Sequence, residues 1–214
     1  MKKVLLATLA VAAFVATGAE AGVKVRPYVS AKAGYAWANA RAYVWDAADP
    51  ADKEKLMGTN HTWTGALAAG VKVCAFRAEL EYNRWGKTKS DKVLPVWRER
   101  TISTLEQESW MLNGYFDVPT KTALRPYIGA GIGMAHVRGR VLWSDIPEKD
   151  VRRERTLAWQ VGAGFGYSLT KNLTLDVGYR YVNNGNVAVK TDPAAPIKYK
   201  VRNQEVLVGL RYAF

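Results

Sequence analysis

Two histidines, one cysteine, and 31 lysines and arginines against 19 aspartates and glutamates set the chemistry open to this chain of 214 residues. Hydrolysis by a covalent route needs a hydroxyl or thiol held within reach of a general base. His61 stands in His61-Thr62-Trp63 and His136 in His136-Val137-Arg138, so neither histidine has a serine two places on. Cys74, between Val73 and Ala75 at an expected tight turn, reads as an inert thiol, and a lone cysteine excludes an internal disulfide. A metal ion asks for several Cys, His or carboxylate ligands at fixed spacing, which these scattered residues do not supply. No catalytic residue, metal ligand or cofactor site is expected. The chemistry is left to the charged residues, whose balance gives a formal net charge of +12.

The charged residues fall into two sets. Lys32, Arg77, Glu79, Glu81, Asp176, Arg180, Glu205 and Arg211 sit at alternate positions inside otherwise small-residue or apolar stretches. Four cations and four anions in one confined space could line an ion pathway. The preferred reading is that they neutralise one another as a solid, salt-bridged plug, because a buried charge requires a partner and eight strands enclose little more than their own side chains. Asp176 and Arg211 are expected to pair. The second set is crowded into long polar intervals: Lys87, Lys89, Arg98 and Arg100 in one, Arg152, Arg153 and Arg155 in the next. Such basic clusters attract anionic surfaces and polyanions.

Positioning these sets requires extended strands. Leu173, Leu175, Val177, Tyr179 and Tyr181 alternate with Thr174, Asp176, Gly178 and Arg180, a period of two that places bulky apolar residues on one face and small or charged ones on the other. The same alternation runs through 27–37, 62–73, 76–83, 110–117, 127–134, 157–167 and 205–214, giving eight strands in all. The phrase VRPYVSAKAGYA at 25–36 returns as LRPYIGAGIGMA at 124–135, so each four-strand half opens on the same text. Connections near Cys74, over 119–124 and over 170–172 are short, whereas 39–60, 86–107, 139–155 and 183–203 are long. Alternating short and long connections describe an up-and-down meander of hairpins. The spacing predicts an all-β fold, an eight-stranded antiparallel up-and-down transmembrane β-barrel.

Sidedness decides between a soluble and a membrane barrel. Here the bulky face carries aromatics near both strand ends, Trp37, Trp63, Trp110, Trp159 and Tyr181 towards the long connections and Phe76, Phe116, Tyr167, Tyr212 and Phe214 towards the short ones. Two aromatic bands around an aliphatic zone match the two interfaces of a bilayer. The opposite face, rich in Gly, Ala, Ser and Thr, suits the crowded interior of a narrow tube. Closure then holds the glycines, because every backbone N–H and C=O in lipid must find a partner along the ladder. At the start, Lys2 and Lys3 precede an apolar run and Ala19-Glu20-Ala21, the pattern of a signal peptide over 1–21, leaving 22–214 as the barrel domain.

The segments RPYIGAGIGMAHV, LAWQVGAGFGYSLTKNLTLDVGYRYV and the terminal VLVGLRYAF resemble the opacity-protein-like family of small bacterial outer-membrane β-barrels, over essentially all of 22–214. The resemblance implies the cell outer membrane as location and the long connections as extracellular loops. It also implies that Phe214, with Tyr212 and Leu210 at alternate positions, is the C-terminal signal read by the barrel-assembly machinery. Adhesins and lipopolysaccharide-contacting structural proteins belong to that family, and the adhesins bind through their surface loops. Outer-membrane barrels also include lipases and proteases. A lipid A deacylase would show a His-x-Ser pairing near the outer rim, which His61 and His136 lack. The expectation is a non-catalytic barrel, structural or adhesin-like, whose basic loops contact lipopolysaccharide or host polyanionic glycans such as heparan sulfate. A nucleic-acid partner is not expected, and the alternative is a small porin-like channel.

Overall fold

The computed structural model describes residues 24–43, 59–93, 100–143, 146–190 and 196–214. The segment 1–21 read as a signal peptide lies outside them, as do Arg98 and most of the first long connection. Wherever bulky and small residues alternate, the backbone is extended. Eight strands result: β1 (Val25–Tyr43), β2 (Thr59–Val73), β3 (Phe76–Val93), β4 (Arg100–Asp117), β5 (Leu124–Trp143), β6 (Ile146–Ser168), β7 (Leu173–Lys190) and β8 (Pro196–Ala213). Each pairs antiparallel with its neighbours in sequence, and β1 pairs with β8 from Tyr28↔Ala213 to Tyr43↔Lys198, closing the barrel. The last residue joins the seam, its Phe214 N–H donating to the Pro27 carbonyl at 2.9 Å.

The exposure of the two faces is the reverse of a soluble protein's. Leu67 and Leu157 are 64% and 62% exposed, while Glu81 and Glu205 are fully buried at 0%. Burying carboxylates and exposing leucines would destabilise any barrel in water, and is the arrangement a hydrocarbon surround requires. Aromatics of the outer face meet in pairs at the two ends of the barrel wall. Tyr82 and Trp110 lie 5.0 Å apart and Trp159 and Tyr181 5.5 Å apart towards the long connections. Phe76 and Phe116, and Tyr212 and Phe214, each lie 5.3 Å apart at the short turns. Cys74, exposed and at φ 53°, forms one of those turns.

The strands run further than the sequence reading placed them, which corrects the loop boundaries. Within 86–107, β3 and β4 stay paired from Thr88↔Leu105 to Val93↔Arg100. Within 139–155, β5 and β6 pair as Gly139↔Arg152 and Arg140↔Val151, and within 183–203 β7 and β8 pair from Asn186↔Lys200 to Lys190↔Pro196. The strand β6 has 23 residues, where about 9–11 cross a bilayer. The excess runs beyond the length that crosses a bilayer. There the apolar alternation disappears while the hydrogen-bond ladder continues. Register shifts at Trp85/Thr88 and Asn183/Asn186 mark the change, the second at Gly185, whose φ of +80° suits glycine.

Candidate functional site

Inside the barrel the polar side chains form three tiers. The middle tier grows from β3, whose odd-numbered residues Arg77, Glu79, Glu81, Asn83 and Trp85 all point inward and are buried. Lys32 on β1 reaches across with its Nζ 2.7 Å from Glu79 Oε1 and 2.6 Å from Glu81 Oε2. Arg180 on β7 fills the other side. Its Nη1 donates to Glu81 Oε1 at 2.6 Å, its Nε to Glu205 Oε2 at 2.6 Å and its Nη2 to Asn83 Oδ1 at 2.7 Å. The Trp85 indole N–H donates to the other oxygen of Glu205. Glu79 also accepts from the hydroxyls of Tyr28 at 2.9 Å and Tyr115 at 2.8 Å. Two cations thus hold three carboxylates, and two phenols and an indole supply the remaining donors, so no buried charge is left bare.

The tier towards the short turns is tied by Asp117, which the sequence reading did not single out. Arg77 Nε lies 2.8 Å from Asp117 Oδ1, and Lys72 bonds its other oxygen. The Arg77 guanidinium stacks over the rings of Tyr115 and Tyr127, 4.5 and 4.8 Å from their centroids. Arg211 and Asp176 meet at 3.1 Å. The upper tier is uncharged: Asn184 and Asn203 both donate to Gln107 Oε1, at 2.9 and 3.1 Å, above a cluster of Met111, Ala135 and Ala158. Eight strands enclose little more than their own side chains. The interior cavity beside Lys32, Tyr115 and Tyr127 measures about 40 Å³, room for a water or two rather than a passage.

Glycine makes this filling possible at specific points. A Cβ on Gly129 would stand 2.2 Å from Tyr115 Cδ1, and one on Gly178 would stand 2.5 Å from the Tyr127 hydroxyl oxygen. The inner-face glycines of β5 to β7 are the floor on which the two tyrosine rings lie.

All eight interior charges therefore sit within the lumen, but their neutralisation is not a closed account among themselves. Arg77 is held by Asp117, and Glu79 needs tyrosine hydroxyls. Trp85 was missed because it lies two residues beyond the last segment read as strand. Its odd-numbered parity with Glu81 and Asn83 was the available signal.

Of the basic residues expected in loops, Lys87 is exposed and pairs with Glu106 at 3.0 Å, and Arg155 is exposed. Lys89 (opposite Thr104), Arg100 (opposite Val93), Arg152 (opposite Gly139) and Arg153 (opposite Arg138) occupy paired strand rather than free loop, on the adjoining β3–β4 and β5–β6 hairpins. Arg84 and Arg202 add exposed cations towards the same end. At the opposite end Leu210, Tyr212 and Phe214 are exposed in alternate positions along β8. The two histidines lie on non-adjacent strands β2 and β5, His61 stacked 5.8 Å from Tyr35 in the upper aromatic band. Among the described residues no three His, Cys, Asp or Glu side chains gather as a metal site.

The family described as "Outer membrane protein beta-barrel domain" matches residues 6–214. The outer membrane protein PagN of Salmonella typhimurium is 32% identical over 119 residues, 50% of this chain and 49% of PagN, so the match spans about half the length of that relative. Opacity protein V28 of Neisseria gonorrhoeae is 23% identical over 238 residues, covering 88% of this chain and 97% of its own. Among solved structures, Neisserial surface protein A superimposes with a TM-score of 0.60 at 23% identity over 88% of this chain and 97% of that one. OprG of Pseudomonas aeruginosa gives a TM-score of 0.60 at 13% identity over 90% and 98%. At these identities the two structures speak for the fold alone.

Proposed function

The chain belongs to the outer membrane protein β-barrel domain family and resides in the outer membrane, and from that premise we propose that it is a non-catalytic barrel acting at its outer rim. Its basic hairpins contact the phosphates of lipopolysaccharide, and in the adhesin-like form of this reading they also bind host polyanionic glycans. The observation that carries the reading is the filled lumen: Lys32, Glu79, Glu81, Arg180 and Glu205 bridge β1, β3, β7 and β8 through buried ion pairs of 2.6–2.7 Å. A barrel closed at mid-height is a scaffold, and what a scaffold can offer lies at its ends. At the end with long hairpins the exposed cations among the described residues include Arg84, Lys87, Arg155 and Arg202. By the usual orientation of such barrels, short turns face the periplasm and long connections the outside. PagN and the opacity protein, as outer-membrane relatives, support the surface setting and do not name a ligand. The exposed alternation of Leu210, Tyr212 and Phe214 fits a handle for the barrel-assembly machinery.

The test is binding of the refolded protein to a glycan and lipopolysaccharide array at several salt concentrations. Replacing Lys87, Lys89, Arg98, Arg100, Arg152, Arg153 and Arg155 with Gln should abolish binding to heparin while the barrel still folds. Heparin binding that survives this change removes the adhesin-like form. Binding to every polyanion alike, fading with salt, leaves the lipopolysaccharide form, because screening weakens exposed charge contacts.

A further inference from the structure

The periplasm-facing mouth of the barrel carries a second concentration of positive charge, independent of the outer rim. A cavity of about 590 Å³ opens there, and its wall includes Lys24, Arg26, Lys72, Arg125, Lys171 and Arg211 with no aspartate or glutamate among its lining residues. The size falls in the range of small-ligand sites. The cations converge from separate parts of the wall: β1 and the residue preceding it, β2, β5, the β6–β7 turn and β8. Arg26 stands directly opposite Lys72 in the ladder, and Lys72 directly opposite Arg77, a row of like charges across three strands. Like charges facing one another across a sheet are destabilising unless an anion sits among them.

The available carboxylates do not meet this demand. Asp117 serves Lys72 and Arg77, and Asp176 serves Arg211. Among the described residues no carboxylate pairs with Lys24, Arg26, Arg125 or Lys171. Tyr28 and Arg211, both buried, are part of its lining, and Arg26 Nη2, also in the wall, donates to the Lys171 carbonyl at 3.1 Å. Three guanidinium forks approaching from several sides suit an oxyanion that accepts along several directions. Thr170 and Thr174, also in the wall, offer hydroxyl donors. We propose that this vestibule binds a phosphate group carrying at least two negative charges or presented beside others. Its source is either a soluble periplasmic phosphate compound or the headgroup phosphate of an inner-leaflet phospholipid.

Titration calorimetry of the refolded full chain with pyrophosphate, in an uncharged detergent and phosphate-free buffer, tests the site. Saturable one-to-one binding is expected. R125Q/K171Q should weaken it by at least about tenfold, the scale of losing charge-assisted hydrogen bonds. R26Q, on another strand, should give a loss of the same kind. K121Q, an exposed cation of the same end outside the cavity, should leave affinity unchanged. Repeating the titration in nanodiscs distinguishes the sources. Pyrophosphate binding that disappears when phosphatidylglycerol is added to phosphatidylcholine discs assigns the site to lipid headgroups, and binding that persists assigns it to soluble phosphates. No saturable binding in detergent or discs, or an affinity that R125Q/K171Q and R26Q leave intact, overturns the proposal.

Discussion

Arg180 is the residue on which the interior most depends, since its one guanidinium joins Glu81, Glu205 and Asn83. Removing one partner of a buried ion pair strands the others, a loss of about 3–5 kcal/mol. Arg180→Ala is therefore expected to lower the free energy of barrel unfolding, read from urea titration in lipid vesicles, by that order. Glu205→Gln in the same background should recover part of it, because one stranded charge is gone. Gly129 makes a second residue-scale case: its Cβ would overlap the Tyr115 ring at 2.2 Å, so Gly129→Ala should cost about 1–3 kcal/mol by overpacking. Tyr115→Ala should relieve the overlap in the double variant, and additive losses in a double-mutant cycle would contradict the contact. At this scale the sequence was partly legible. Parity alone puts Lys32, Glu79, Glu81 and Arg180 on one face. It does not say that Asp117 reaches Lys72 and Arg77, because that depends on the height of one strand against the next, which only the register supplies.

The elements divide at the membrane surface. Below it, period-two alternation wrote every strand into the sequence, since one face meets lipid and the other a crowded lumen. Above it the same strands continue with polar residues on both faces, as in Lys87 to Val93 against Arg100 to Glu106, and alternation no longer marks them. For that physical reason the sequence of those upper segments looks like loop. They should be separable from the barrel. Deleting 88–105, with Lys87 joined to Glu106 through a short glycine linker, is expected to leave the heat-modifiable gel mobility and β-sheet circular dichroism of the folded protein. Loss of folding would mean that the β3–β4 extension helps hold the barrel shut. The β8 end behaves differently, because Phe214 hydrogen-bonds to Pro27 across the closing seam. Its deletion should slow refolding into vesicles more than it lowers final stability.

As a whole the molecule is a closed wall with a salt-bridged middle and a cationic region at each end. Such a tube is expected to be silent in a planar bilayer, whereas Arg180→Ala combined with Glu79→Ala should introduce stepwise conductance by opening the central tier. Stepwise conductance of the unaltered protein would restore the porin-like reading. All of this presupposes that the aromatic and aliphatic face touches hydrocarbon. Fluorescence quenching by lipids brominated along their acyl chains measures that directly, using variants that each retain one tryptophan. Trp63, Trp110 and Trp159, exposed on the outer wall, should be strongly quenched, and Trp85, buried beside Glu205, should not. Quenching of Trp85 with the other three protected would turn the barrel inside out and contradict the account.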